Sequence, residues 1–367
     1  MTPAFRQFVV KVHGRCDLAC DYCYVFEMAD QRWRGRVRAM SARTAAQVVS
    51  RIADHARAHG LAEVELVLHG GEPLLAGARF IGELAVDARA RIPARTRITV
   101  QTNGVRLDRR FLDLFGRHDI RVGVSLDGAA PAHDRHRRGH HGEGSHDRVR
   151  TAVELLRAEY PELFAGLLCV IDLANDPVET YAALVEFRPP TVDFLLPHGT
   201  WTDPPPGRLP ESSATPYADW LIAVFDHWYA TPGKTTAVRL FDAAIGLWLG
   251  AGSAVEGLGT EPPPQLVIET DGSLERSDIL AAAYSGAGAT GLHVETDPFD
   301  AALAFGAPAP AARCRGCPVF EVCGGGQPAH RYRAGTGFAN PSVYCPDLFR
   351  FTNHVRYRLA ADLGGLA

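Results

Sequence analysis

Three thiols fall close together near the start of the chain: Cys16, Cys20 and Cys23, spaced Cys-x3-Cys-x2-Cys. Thiolates are the ligands of iron–sulfur clusters, and a four-iron cluster needs one ligand per iron. Three local cysteines leave one iron without a protein ligand. That is the logic of an open catalytic metal site, in which a substrate coordinates the vacant position. A zinc knuckle or ordinary buried thiols are the bland alternatives. Further along, His69-Gly70-Gly71-Glu72-Pro73 combines two glycines, which let a ligand approach the backbone, with a carboxylate suited to an ammonium group.

A second set, Cys314-x2-Cys317-x5-Cys323 with Cys345 beyond it, is a complete four-thiolate constellation. It suits structural zinc and an iron–sulfur cluster equally well by spacing. The eighth cysteine, Cys169, stands in the apolar run Leu167-Leu168-Cys169-Val170 and reads as a small buried hydrophobe.

The elements that must position these groups alternate between strand and helix. Apolar strands are predicted over residues 8–12, 64–68, 98–101, 122–126, 167–171 and 192–196. Helices are predicted from the N-cap Ser41 to the stop at Gly60, over 80–92 and around 110–115. Alternation of this kind means parallel strands with crossover helices. The unusual residues follow strand ends: the cysteine loop after the first, Gly70-Gly71-Glu72 after the second, Thr102-Asn103-Gly104 after the third and Asp127-Gly128 after the fourth. In a β/α barrel all such positions open onto one face, where an active site sits. Six strands predict an α/β fold, a partial (β/α)6 barrel over residues 1–205. Proline-rich stretches at Asp203-Pro204-Pro205-Pro206-Gly207 and Glu261-Pro262-Pro263-Pro264 predict linkers around a helical bridge over 206–260. A hairpin turning at Asp271-Gly272 and a Gly- and Cys-rich tail complete a third region, 261–367.

The formal charge of −4 and the ordinary 46% apolar and 22% charged residues give no reason to expect nucleic acid or a membrane as partner. No apolar run approaches the ~18 residues of a membrane span, and no signal peptide is evident. A cytoplasmic location is expected, where thiols serve as ligands rather than disulfides. The basic run Arg135 to His141 reads as a solvated loop.

Taken together, Cys16, Cys20, Cys23, the aromatic Tyr22 and the Gly70-Gly71-Glu72 turn resemble the radical S-adenosylmethionine (SAM) superfamily. The resemblance implies a SAM-binding [4Fe–4S] cluster on the three cysteines. It further implies SAM contacts from Gly70, Gly71, Glu72, Asn103, Ser125, Asp127 and Arg137. The tail resembles the SPASM extension, which implies one auxiliary [4Fe–4S] cluster on Cys314, Cys317, Cys323 and Cys345. Ser277 and Gln327 stand where a further auxiliary cluster would take thiolates, so two clusters are expected in all. Asp278, after Ser277, is the candidate base.

Within that superfamily the chain is similar to Fxs-type peptide maturases that form three-residue cyclophanes. The similarity is carried by residues 5–13, Trp33-Arg34-Gly35, 193–198, Tyr217-Ala218-Asp219-Trp220, 330–337 and 340–345. It implies a ribosomally made precursor peptide as substrate, an electron donor such as ferredoxin or flavodoxin, and His198, Trp201 and Arg331 as cavity residues. With the first strand so near the start, no N-terminal leader-binding domain is expected. Formylglycine formation on a sulfatase, peptide epimerisation with Cys169 as hydrogen donor, and a non-catalytic zinc or iron–sulfur protein are the rival expectations.

Overall fold

The computed structural model describes residues 4–209, 211–253, 255–261 and 265–364. The expected linker at Pro262-Pro263-Pro264 lies outside the described residues. The chain forms two compact units, one of Met1–Leu126, His133–Leu167 and Pro264–Gly306, the other of Asp127–Ala132, Leu168–Pro263 and Ala307–Ala367.

The first unit is built on β1 (Gln7–His13), α1 (Ala42–Ala58), β2 (Glu63–Gly70), α2 (Ala78–Arg91), β3 (Arg95–Thr102), α3 (Arg109–Arg117) and β4 (Ile120–Ser125). β1 to β4 pair in parallel in sequence order, with Phe8 opposite Leu66, Leu66 opposite Ile98, and Ile98 opposite Ile120. These residues face the helices and are essentially fully buried. Phe8, for example, packs edge-on to His55 of α1. Because a strand alternates sides, the residues between them face the other way. That second face is polar: Gln7 and Thr99 hydrogen-bond Glu65, Gln101 bonds Ser125, and Lys11 points the same way as Gln7.

The predicted caps hold. The Ser41 hydroxyl accepts the Thr44 amide at 3.0 Å, and Gly60 ends the helix at φ +58°. α4 (Ala130–His136), α5 (His146–Glu159) and β5 (Phe164–Val170) follow, β5 crossing from the first unit into the second.

In the second unit lie α6 (Pro177–Val185), β6 (Thr191–Leu195), α7 (Pro216–Ala230), β7 (Ala237–Val238) and α8 (Arg239–Trp248), with β6 and β7 parallel. A long helix, Cys345–Gly364, closes the unit through an aromatic core in which Phe225 meets Phe241 and Phe351. Thr215 provides no side-chain cap for α7. Asp347 does so from the long helix, its Oδ1 accepting the amides of Tyr217 and Ala218 at 2.9 and 3.0 Å. The chain at 203–207 is tied into this unit, since Tyr217 donates its hydroxyl to the Pro206 carbonyl.

The predicted hairpin is present as β8 (Gln265–Ile268) and β9 (Ser273–Glu275), with Gly272 at φ +95° in its turn. Its position was not legible from sequence pattern. β8 pairs in parallel with β1, Gln7 opposite Gln265, and β10 (Ala289–His293) extends the edge, so the first unit orders its strands β10-β9-β8-β1-β2-β3-β4. Among the described residues no helix is long and apolar enough to cross a membrane.

Replacing Asp347 with Ala strands two buried amides of α7. The expected result is a loss of about 1–3 kcal/mol, read by urea denaturation. Asp347→Asn, which keeps an acceptor, loses less.

Candidate active site

The cysteine loop leaves the end of β1 and is held from two sides. On one side, the Gly71 amide donates to the His13 carbonyl and the Glu72 amide to the Arg15 carbonyl. A Cβ on Gly70 would lie 2.1 Å from the His13 carbonyl oxygen, and one on Gly71 2.4 Å from that of Arg15. The two glycines are therefore required by the chain's own close approach. On the other side stands the basic run. The Ala19 amide donates to the Arg138 carbonyl at 2.7 Å, Leu18 bridges Gly139, and the rings of His136 and His140 bond Asp21 and the Cys16 carbonyl. Residues that read as a solvated loop thus clamp the cysteines.

Glu72 is fully buried. It accepts three hydrogen bonds, from the amides of Leu74 and Asn103 and the hydroxyl of Thr102, at 2.7–2.9 Å. Three bonds leave a carboxylate one further lone-pair site for a ligand donor. Burial nonetheless dominates and pushes the carboxyl up to about 7. Asn103 reaches the cysteine loop directly, its Nδ2 lying 2.9 Å from Asp17 Oδ1 and 3.5 Å from Cys16 Sγ. Arg137 is buried with its guanidinium 5.6 Å from the centroid of Tyr22. Ser125 accepts from Gln101. Cys16, Cys20, Cys23, Tyr22, Gly70, Gly71, Glu72, Asn103, Ser125 and Arg137 all belong to the first unit. Asp127 belongs to the second, where its Oδ1 accepts the Val170 amide.

Asp278 sits in the first unit on the short helix after β9, and its Oδ2 accepts the Tyr24 hydroxyl at 2.6 Å. Tyr24 directly follows Cys23, so the candidate base is attached to the cysteine loop itself. Around Asp278 lies a charge network that sequence motifs did not reveal. Lys11 Nζ lies 2.9 Å from Glu269 and 3.6 Å from Asp278, Arg36 pairs with Glu269 and Glu275, and Arg32 pairs with Glu275 and Asp30. Burial opposes the Lys11 ammonium, but the carboxylates of Glu269, Asp278 and Glu275 outweigh it and keep its pKa raised. One cavity is lined by Lys11, Trp33, Arg36, Gly70, Gly71, Glu269 and Asp278. The available signal was Lys11 itself, a lone cation inside the apolar strand Phe8-Val9-Val10-Lys11-Val12.

In the second unit Cys314, Cys317, Cys323 and Cys345 line a single cavity, with Cys345 at the start of the long helix. Both cysteine sets pass a test of fit for iron–sulfur clusters. Burial raises the pKa of Cys16, Cys23, Cys314, Cys323 and Cys345, so these thiols need a bound cation to ionise. Cys314, Cys317, Cys323 and Cys345 turn four soft thiolate donors toward one cavity, a complete ligand set for a four-iron cluster. Gln327 is in this unit and Ser277 in the first, and neither is a thiolate.

His198 lies 3.3 Å from His330, and Trp201 donates to the Pro341 carbonyl. Cys169 is buried in β5 with its thiol toward the Val170 carbonyl. His55, His59 and Asp300 gather on the helix-facing side of β1, where Asp300 Oδ1 bonds both rings and so accounts for the cluster.

Residues 10–185 match the family model described as Radical SAM superfamily. The serine-type anaerobic sulfatase-maturating enzyme of Klebsiella aerogenes is 28% identical, over 99% of this chain and 88% of its own length. Among solved structures, native anSMEcpe with bound AdoMet aligns at a TM-score of 0.80 with 20% identity, covering 98% of this chain and all of that one. Streptococcus suis SuiB bound to precursor peptide SuiA aligns at 0.62 with 13% identity, covering 93% and 76%. These likenesses show the α/β radical SAM fold with its cysteine-rich C-terminal region.

The raised carboxyl of Glu72 has a signed consequence for the ligand-free chain. The native state binds its proton more tightly than the unfolded state, so stability falls as pH rises from 4.5 through about 7. The loss amounts to roughly 3 kcal/mol. Glu72→Gln is expected to flatten that part of the slope in denaturation measured across the window.

Proposed function

We propose, from the premise that this chain is a radical SAM enzyme, that it modifies a ribosomally made precursor peptide by joining a residue's β-carbon to a nearby aromatic ring. The product is a three-residue cyclophane. The observation that carries the reading is the Tyr24–Asp278 hydrogen bond, which ties to the cysteine loop a buried carboxylate lining the cavity of Gly70 and Gly71.

Cys16, Cys20 and Cys23 would hold the SAM-binding cluster, and Cys314, Cys317, Cys323 and Cys345 the auxiliary one. When bound, these groups supply a 5′-deoxyadenosyl radical that takes one hydrogen atom and a sink for one electron. Restoring the aromatic ring then requires removal of one proton, which Asp278 would accept. Tyr24 fixes the carboxylate through its hydroxyl, and the Lys11 ammonium at 3.6 Å balances its charge. Trp33, at the same cavity, is held by Arg15 and Arg34 over its ring and by the edge-on ring of Phe26. Glu72, Asn103 and Arg137 would bind and orient SAM, with Tyr22, Ser125 and Asp127 as further contacts. A low-potential ferredoxin or flavodoxin would deliver the initiating electron.

Formylglycine formation is the second reading, favoured by the Klebsiella aerogenes enzyme matching 99% of this chain. Ser277 and Gln327 count against it, since sulfatase-maturing relatives normally carry the further cluster that thiolates at those places would hold. Epimerisation gains no support from Cys169, which is buried in a strand.

Mass spectrometry of a co-expressed precursor separates these readings. Loss of two hydrogens, inert to hydrazide and located by fragmentation between a β-carbon and a ring, is the expected product. A hydrazide-reactive aldehyde establishes formylglycine instead, and Cys16→Ala abolishes either. Asp278→Asn is expected to lower product formation by about 10²–10⁴-fold while SAM cleavage continues. Equal loss of both would remove Asp278 from the role of base.

A further inference from the structure

Arg331 is 3% exposed, on the short helical turn Ala329–Arg331 of the second unit. Its Nη2 donates to the Pro308 carbonyl at 3.0 Å, while its Nε and Nη1, both buried, have no hydrogen-bond partner. No carboxylate among the described residues pairs with it. Burial lowers the pKa of its guanidinium, and the sulfurs of Cys314 and Cys323 are the neighbours that oppose that shift. Both groups border Gly325: a Cβ built there would lie 3.8 Å from Cys314 Sγ and 4.0 Å from Arg331 Nη1, with Pro310 at 3.1 Å.

An uncompensated buried cation is costly, and removing its counter-charge is strongly destabilising. Nearby Arg208 shows the usual solution, lying 3.4 Å from Asp347. Arg313 also lines the thiol cavity. Arg331 is as buried as Arg208 but has no carboxylate partner among the described residues and two unmet N–H groups, and unlike Arg313 it is not exposed. A four-iron cluster on four thiolates is anionic and gains a further negative charge when reduced. A fixed cation beside it, with N–H groups to spare for sulfur, stabilises the reduced form more than the oxidised one.

We propose that Arg331 is the counter-ion of the auxiliary cluster and raises its reduction potential, making it an electron acceptor. The inference rests on the reading that Cys314, Cys317, Cys323 and Cys345 hold a four-iron cluster. Arg331 acts through the cluster, as a positioning residue for charge.

The test uses the full chain carrying Cys16→Ala, Cys20→Ala and Cys23→Ala, reconstituted anaerobically so that the auxiliary cluster alone gives a signal. About four iron per chain without zinc supports the cluster, whereas zinc without iron removes that underlying reading. In this background, Arg331→Gln and Arg331→Lys are compared by potentiometric titration followed by electron paramagnetic resonance. Arg331→Gln is expected to lower the midpoint by at least 59 mV, a tenfold change for a one-electron couple, and Arg331→Lys by less. Failure of Arg331→Gln alone to retain iron also supports the proposal, because charge then decides retention. An unchanged midpoint in loaded Arg331→Gln overturns it. So does equal loss of iron from both variants, which would assign Arg331 to packing.

Discussion

The burial of Lys11 among carboxylates organises the first unit. An ammonium inside an apolar strand costs several kcal/mol unless opposite charge meets it, and here Glu269 and Asp278 come from a segment more than 250 residues away. Once β8 lies against β1, the charges close into a set with Arg36, Arg32, Glu275 and Asp30. The same set fixes Asp278 beside Tyr24. Electrostatic satisfaction of the sheet and placement of the candidate base are therefore one event.

The two cysteine sets solve a related problem differently. Burial keeps most of these sulfurs protonated in the absence of metal, so the protein provides geometry and iron supplies the countercharge. Around the first set, Asn103 reaches toward Cys16, the main chain of the basic run holds the loop, and buried Arg137 lies over the ring of Tyr22. Around the second, Cys314 and Arg331 both border Gly325.

Much of this was legible in the sequence because it depends on local rules. The strands around Phe8, Leu66, Ile98 and Val122 follow from apolar patterning, the first helix from Ser41 and Gly60, and the cysteine sets from spacing. What was not legible depends on contacts distant in sequence. Nothing in residues 265–268 distinguishes a hairpin strand from one that pairs in parallel with β1. The run from Arg135 to His141 looked solvated because its partners, reached by main-chain groups and by the rings of His136 and His140, lie more than a hundred residues earlier. Gly70 and Gly71 were correctly singled out as places of close approach, but their vacant sides receive His13 and Arg15. Lys11 was the missed clue, since a charge in an apolar strand asks for a partner that composition cannot name.

The pairing of β1 with β8 also sets an order of events during synthesis. Asp278, the acceptor for Tyr24, is synthesised 254 residues after it, and Glu269, the partner of Lys11, 258 residues after Lys11. At about 5–20 residues per second, the nascent loop waits tens of seconds without them. Until then the Tyr24 hydroxyl lacks Asp278 and the Lys11 ammonium lacks Glu269, so the loop acquires its final setting only when β8 has joined β1.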